Sequence, residues 1–219
     1  MAVEQEIRAR IERRFPTHTF LGEESGGQSA SGAPFRWIVD PIDGTTNFAH
    51  GLALFCTSIA LEIDGEVAVG AIYDPMADEL FTAERGHGAR VNGRRLAVSP
   101  ADDLINALMV TGFPPKTSPA EREEQLAIFT AFISRARAVR RLGSAALDLC
   151  FVAAGRFDVF WEQNLYAWDV AAGGLLVEEA GGRVTNYSGT SYSPFDRQII
   201  ATNARLHPLV LDVIGGLRR

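Results

Sequence analysis

Chemistry in this sequence concentrates at Asp40-Pro41-Ile42-Asp43-Gly44-Thr45, where the apolar stretch Trp37-Ile38-Val39 runs into two carboxylates three residues apart. Pro41 biases Asp40 towards extended backbone and Gly44 permits a sharp turn, so that both carboxylates and the Ile42 carbonyl can converge on one point. All are hard oxygen donors of the kind Mg²⁺ takes at about 2.0–2.1 Å, while leaving positions for water and a substrate phosphate. Beyond the turn, Gly44 and Thr45 would open a short helix whose first amides lack internal partners and suit a phosphate. Alone, Asp43-Gly44 reads equally as a plain turn. Further carboxylates accompany it: Glu23-Glu24 after the apolar Phe20-Leu21, and Asp169 in Trp168-Asp169-Val170-Ala171-Ala172-Gly173 at the start of an apolar helix. Separately, the first reads as a solvated acidic turn and the second as a helix cap. Their joint occurrence favours one oxygen-rich centre.

The elements that must position these residues belong to an ordinary folded chain. Its 219 residues are 47% hydrophobic and 22% charged, which excludes a disordered, collagen-like or disulfide-stapled protein. A net charge of -6 argues against nucleic acid as a general partner. A small anionic substrate would then need a local cation. The opening MAVEQEIRAR has no apolar signal segment and no apolar run reaches the roughly 18 residues of a membrane span, so a cytoplasmic protein without membrane contact is expected. Cys56 and Cys150 read as two buried thiols, and His18, His50, His87 and His207 show no ligand spacing.

Periodicity supplies the scaffold. Val3, Ile7, Ile11 and Phe15 predict a helix with an apolar face, stopped by Pro16, followed by a short buried strand over 35–39. From 54 to 82 the pattern is an antiparallel meander with a turn at Asp64-Gly65, and Asn92-Gly93 adds a tight turn with 96–98 returning from it. The rest alternates: strand 106–111, helix 121–134, strand 138–142, helix 145–154, strand 158–161, helix 170–179, strands 183–186 and 198–202, and a last helix from Leu206. The fold class is α/β (α+β) in layers. One domain over 1–219 is expected, with an antiparallel α+β half (1–104) and an α/β half (105–219).

Gly22-Glu23-Glu24, the Asp40 to Thr45 string, Gly143-Ser144-Ala145-Ala146, and Trp168 to Gly173 with Glu178 and Ala180-Gly181-Gly182 behind it occur in one chain. With these signatures the sequence resembles, through nearly its whole length, the inositol monophosphatase family of magnesium-dependent, lithium-sensitive phosphatases. The resemblance implies a layered alternating α/β sugar-phosphatase fold, hydrolysis of a phosphate monoester on a sugar or cyclitol, two or three Mg²⁺ ions, and a homodimer. It implies Glu23, Asp40 and the Ile42 carbonyl as ligands of a first metal, and Asp40, Asp43 and Asp169 as ligands of a second. The first ion would acidify the attacking water and the second would stabilise the leaving alkoxide. Thr45 would orient that water beside Glu23 and Asp40, and the Gly44 and Thr45 amides would hold phosphate oxygens.

On the same resemblance, Asp43 and Asp169 also face substrate, Glu162 matches the ring-binding glutamate, and Ser144-Ala145 matches a segment that contacts the ring. Ser144 reads equally as a helix N-cap, and Glu162 as an exposed carboxylate at a strand end. Inositol 1-phosphate is the expected substrate, with histidinol phosphate or fructose 1,6-bisphosphate as alternatives. A weakly active regulator or RNA-associated binding protein on this scaffold is the reading from a different class. Family members carry an N-terminal segment ahead of the point where this sequence starts, including an aspartate that partners the motif threonine. Thr45 is therefore expected to lack that partner.

Overall fold

The computed structural model describes residues 2–26, 33–114 and 117–218. Among these residues two sheets and six α-helices stack in alternating layers. The first sheet runs in order β1 (Thr19–Gly22), β2 (Phe35–Asp43), β3 (Cys56–Ile63), β4 (Glu66–Asp74), β5 (Glu79–Glu84), β6 (Gly88–Val91) and β7 (Arg94–Arg95), antiparallel throughout except for the parallel β1–β2 pair. Two-residue turns at Asp64-Gly65 and Asn92-Gly93 make its hairpins local, as those dipeptides demand. The second sheet has the order β11 (Arg183–Thr185), β12 (Gln198–Thr202), β10 (Val159–Gln163), β8 (Leu108–Thr111) and β9 (Ala138–Arg140), with β8 parallel to both β9 and β10.

Between the sheets lie α4 (Ala145–Ala153) and α5 (Ala167–Glu179). Both are apolar nearly all round because both faces are covered: α5 packs on β2 to β5, while α4 touches β8, β10 and β12 on one side and β3 and β4 on the other. Their side chains join Ile38, Ile72 and Phe81 from one sheet to Val110, Phe160 and Ile199 from the other in the main core. On the outer face of the second sheet, α3 (Pro119–Ile133) and α6 (His207–Leu217) bury Ile128, Phe132, Val210 and Ile214 against Met109, Val159 and Ile200. Outside the first sheet, α1 (Ala2–Arg14) covers Phe20 and Val39 with Ile11. No helix among the described residues is long and apolar enough to cross a membrane.

The layered α/β class stands, while several local expectations shift. The first helix buries Glu4 and Ile11, whereas Val3 is 42% and Phe15 37% exposed, because Glu4 is drawn inward by the Glu24 amide at 2.8 Å. The strand expected over 35–39 continues through Pro41 to Asp43, since β3 supplies a partner along its whole length. Residues 96–98 form no strand; the return from the Asn92-Gly93 turn ends after Arg95. The α5 helix starts at Ala167, three residues before the expected 170, because the Asp169 carboxylate accepts from the Tyr166 amide and closes the first turn.

Candidate active site

Side chains alternate along a strand, so carboxylates three residues apart on β2 belong on opposite faces. A bulge prevents this. Pairing passes from Asp40↔Ser58 to Asp43↔Cys56, so that Pro41 and Ile42 oppose the single residue Thr57, whose hydroxyl donates to the Pro41 carbonyl at 2.9 Å. The extra residue reverses the parity, and both carboxylates turn towards the middle layer. The Ile42 amide donates to Asp40 Oδ1 at 2.9 Å, fixing that side chain over the bulge. Gly44 then turns at φ 89 into the short α2 (Thr45–Ala49), and a Cβ there would meet the Leu54 carbonyl at 2.8 Å.

The first turn of α5 delivers Asp169 to the same place. Ligand oxygens of Asp40, Asp43 and Asp169 all lie within 4.8 Å of one another. Glu23, in the exposed turn after β1, falls outside that tight group but stands near enough for its charge to raise the Asp40 pKa. Glu4 steadies this turn from α1 by accepting from the Glu24 amide. At an effective dielectric of about 20, each ionised carboxylate pair at this spacing repels by roughly 3 kcal/mol. Protein hydrogen bonds cannot offset that at every member; a cation or protons must.

The acid strengths record the conflict. Burial first, then Asp43, Glu23 and Asp169, drives the Asp40 pKa far up from the carboxylate range. Asp169 is raised to about 7 by burial and by Asp43. Asp43 rises only to about 6: burial lifts it, while donation from Ser144, Ala146 and Gly44 holds it down. These donors are specific. The Ser144 hydroxyl donates to Asp43 Oδ2 at 2.5 Å and the Ala146 amide to the same oxygen at 2.8 Å, while Ser144 Oγ also accepts from Leu147 N as the N-cap of α4. Asp169 also serves the start of its helix, its Oδ2 accepting from the Tyr166 amide at 2.7 Å.

Asp43 and Asp169 line a cleft of about 230 Å³, whose lining also includes Ser144, Ala145, Arg141, Asp148, Glu162 and Gly112. Glu162 is 7% exposed, which corrects the alternative of an exposed strand-end carboxylate, because β10 is interior and flanked by β8 and β12. Burial, then Asp169 and Asp43, raises its pKa to about 8, and Arg141 opposes the rise. Thr45 is exposed on the first turn of α2, and among the described residues none hydrogen-bonds its hydroxyl. Neither cysteine is paired; Cys56 lies buried behind Asp43, its Sγ 4.0 Å from Oδ2. His207 is buried between Thr185 and Thr202, away from these acids.

The sequence reading passed over Arg141, Asp148, Gly112 and the Ala146 amide. Asp148 had a visible signal, being the one charged residue in the otherwise apolar α4. Arg141 is the one basic side chain lining the cleft among the described residues. Gly112 and the Ala146 amide carried none, since each acts through backbone position.

A set of oxygen donors this close, repelling one another and held by neutral hydrogen-bond donors, fits a hard divalent cation. Comparison with known proteins agrees. The model described as the inositol monophosphatase family matches residues 1–216. A Nus factor SuhB of Pseudomonas aeruginosa is 43% identical over 216 residues, covering 97% of this chain and 80% of that protein. An inositol-1-monophosphatase of Mesorhizobium japonicum is 43% identical over 208 residues, covering 95% and 78%. The solved structure of an inositol monophosphatase from Anabaena (Nostoc) sp. superposes with a TM-score of 0.91 at 42% identity, covering 97% of this chain and 84% of that one.

Proposed function

The chain belongs to the inositol monophosphatase family, and from that membership we propose that it is a Mg²⁺-dependent phosphomonoesterase that hydrolyses inositol 1-phosphate to inositol and phosphate. The observation that carries this reading is the convergence of Asp40, Asp43 and Asp169 within 4.8 Å, with Asp43 and Asp169 lining a cleft that the buried Glu162 also lines. Asp40, Asp43 and Asp169, with Glu23 and the Ile42 carbonyl beside them, would hold the ions. When bound, Mg²⁺ supplies the positive charge that neutralises phosphoryl oxygens and acidifies water.

The chain's own groups do the rest. Ser144 and the Ala146 amide fix the Asp43 carboxylate, so it needs no reorganisation when the cation arrives. Thr45 stands exposed on the first turn of α2, where its hydroxyl orients the attacking water and its amide meets a phosphate oxygen. The Gly44 amide shares that task with the Thr45 amide, and it also helps hold the Asp43 pKa down. Glu162 accepts hydrogen bonds from ring hydroxyls, and Ser144-Ala145 borders the ring. A homodimer follows from the resemblance and is proposed with it, as is the cytoplasmic location expected from the opening residues.

Phosphate release with and without Mg²⁺ over inositol 1-phosphate, histidinol phosphate and fructose 1,6-bisphosphate tests the proposal. Inositol 1-phosphate should give the largest kcat/KM, and only with the metal. Preference for another ester would replace the substrate while keeping the chemistry. A second reading has an observation in its favour, since similar proteins are named Nus factor. Folded protein that binds Mg²⁺ but turns over none of these esters would favour such a regulatory role.

A further inference from the structure

The parallel register of β8 and β10 pairs Val159 with Met109, Phe160 with Val110 and Trp161 with Thr111, and one step further sets Gly112 beside Glu162. A Cβ on Gly112 would stand 2.2 and 2.3 Å from the two carboxylate oxygens of Glu162 and 2.4 Å from its Cδ. The carboxylate thus occupies the space into which any larger residue at 112 would place its first carbon. The Gly112 φ lies outside the left-handed region, so space, not backbone conformation, is what the missing side chain provides.

Glu162 is 7% exposed, and neither of its carboxylate oxygens is hydrogen-bonded by a described residue. Behind it, Asp148 is 1% exposed and its Oδ1 also lacks a partner. The Glu162 carboxylate lines the cleft without a donor from any described residue, so a ligand entering there can supply its donors. Two free oxygens on one carboxylate match two adjacent O–H donors, the arrangement a polyol presents. A plain alcohol or phenol presents none once esterified.

We propose that Gly112 is the specificity-determining residue of the cleft: by seating Glu162 with both oxygens open, it selects phosphate esters of polyols with adjacent hydroxyls over esters of simple alcohols and phenols. Gly112 is a positioning residue acting through Glu162. The inference rests on the phosphatase reading above and deepens it.

The test compares kcat/KM for inositol 1-phosphate and phenyl phosphate in the full chain, Gly112→Ala, Glu162→Ala and the double variant, each with a melting curve and a Mg²⁺ titration. In Gly112→Ala the ratio of inositol 1-phosphate to phenyl phosphate should fall about 10- to 100-fold through KM, the scale of a lost hydrogen bond to a charged group. Melting and Mg²⁺ affinity should hardly move, because the displaced atoms end a flexible side chain. In the Glu162→Ala background, Gly112→Ala should add nothing further. Equal losses on both esters, an unchanged ratio, or an additive loss in the double variant would overturn the assignment. Wild-type protein that hydrolyses phenyl phosphate and glycerol 1-phosphate but not inositol 1-phosphate overturns only the cyclitol substrate, and the ratio is then read with glycerol 1-phosphate. Silence of the wild type on every ester overturns the phosphatase reading and this one together.

Discussion

In one cleft Asp43 receives hydrogen bonds from the Ser144 hydroxyl and the Ala146 amide, whereas the equally interior Glu162 receives none from the described residues. Both carboxylates are buried and both carry raised pKa values, yet the chain treats them differently. Asp43 is tied down by donors from the start of α4, as a group must be if its oxygens are to meet a small cation at fixed distances. Glu162 is shaped by an absence, the missing side chain of Gly112, and its acceptors wait for donors from outside. The difference teaches that buried acids in one cleft can be prepared for opposite partners: one for charge, the other for hydroxyls.

Substitutions separate the two acids. The largest effect is expected from Asp43→Asn, which keeps the size and the acceptor for Ser144 but removes a charge from the cation site. Activity should fall on the order of 10³-fold, alike for inositol 1-phosphate and phenyl phosphate. A loss confined to the inositol ester would break the comparison by placing Asp43 against the hydroxyls. Next, Ser144→Ala removes the donor at 2.5 Å from Asp43 and should weaken Mg²⁺ about 10- to 100-fold in calorimetry. At saturating Mg²⁺, KM for inositol 1-phosphate should return to the wild-type value; a KM that stays high would assign Ser144 to the ring as well.

The pH dependence of Mg²⁺ binding sharpens the role of charge further. Asp169 is raised to about 7 and Asp43 to about 6, so the metal-free cluster retains protons that a cation must displace. Raised acid pKa values mean competition grows as pH falls, and affinity should be about 10-fold weaker at pH 6 than at pH 8. Proton release on binding, read as a buffer-dependent heat, should accompany it; binding that is pH-independent across this range would show the carboxylates already ionised. The smallest effect is expected from Asp148→Asn. Burial, then Glu162 and Asp43, pushes the Asp148 pKa well up and favours its neutral form, which the amide replaces without change of charge. Unfolding free energy should change by less than about 1 kcal/mol, and a larger loss in chemical denaturation would reveal an ionised Asp148 held by Arg141.

Much of this arrangement is legible in the residues. The Asp40 to Thr45 string, Asp169 ahead of an apolar helix, and the hairpins at Asp64-Gly65 and Asn92-Gly93 follow from local backbone preferences that hold in any context. The apolar patterns of α4 and α5 likewise announce helices covered on both faces. The end of β2 was less legible, because only the presence of β3 extends that strand past Val39 and only their mismatched register creates the bulge. Glu4 illustrates the same limit: in the sequence it lies on a charged helix face, and the Glu24 amide from a distant turn draws it inward.

The sequence by itself determined which atoms could bind a hard cation and which elements would carry them, because donor chemistry and turn geometry are properties of a few neighbouring residues. Tertiary structure alone decided that Asp40 and Asp43 share a face, that Ser144 and Ala146 point at Asp43 across about a hundred residues of chain, and that Gly112 gives Glu162 its seat. Those facts are distances between separate segments, fixed by strand register and by the packing of α4 between two sheets, and no short stretch of sequence contains them.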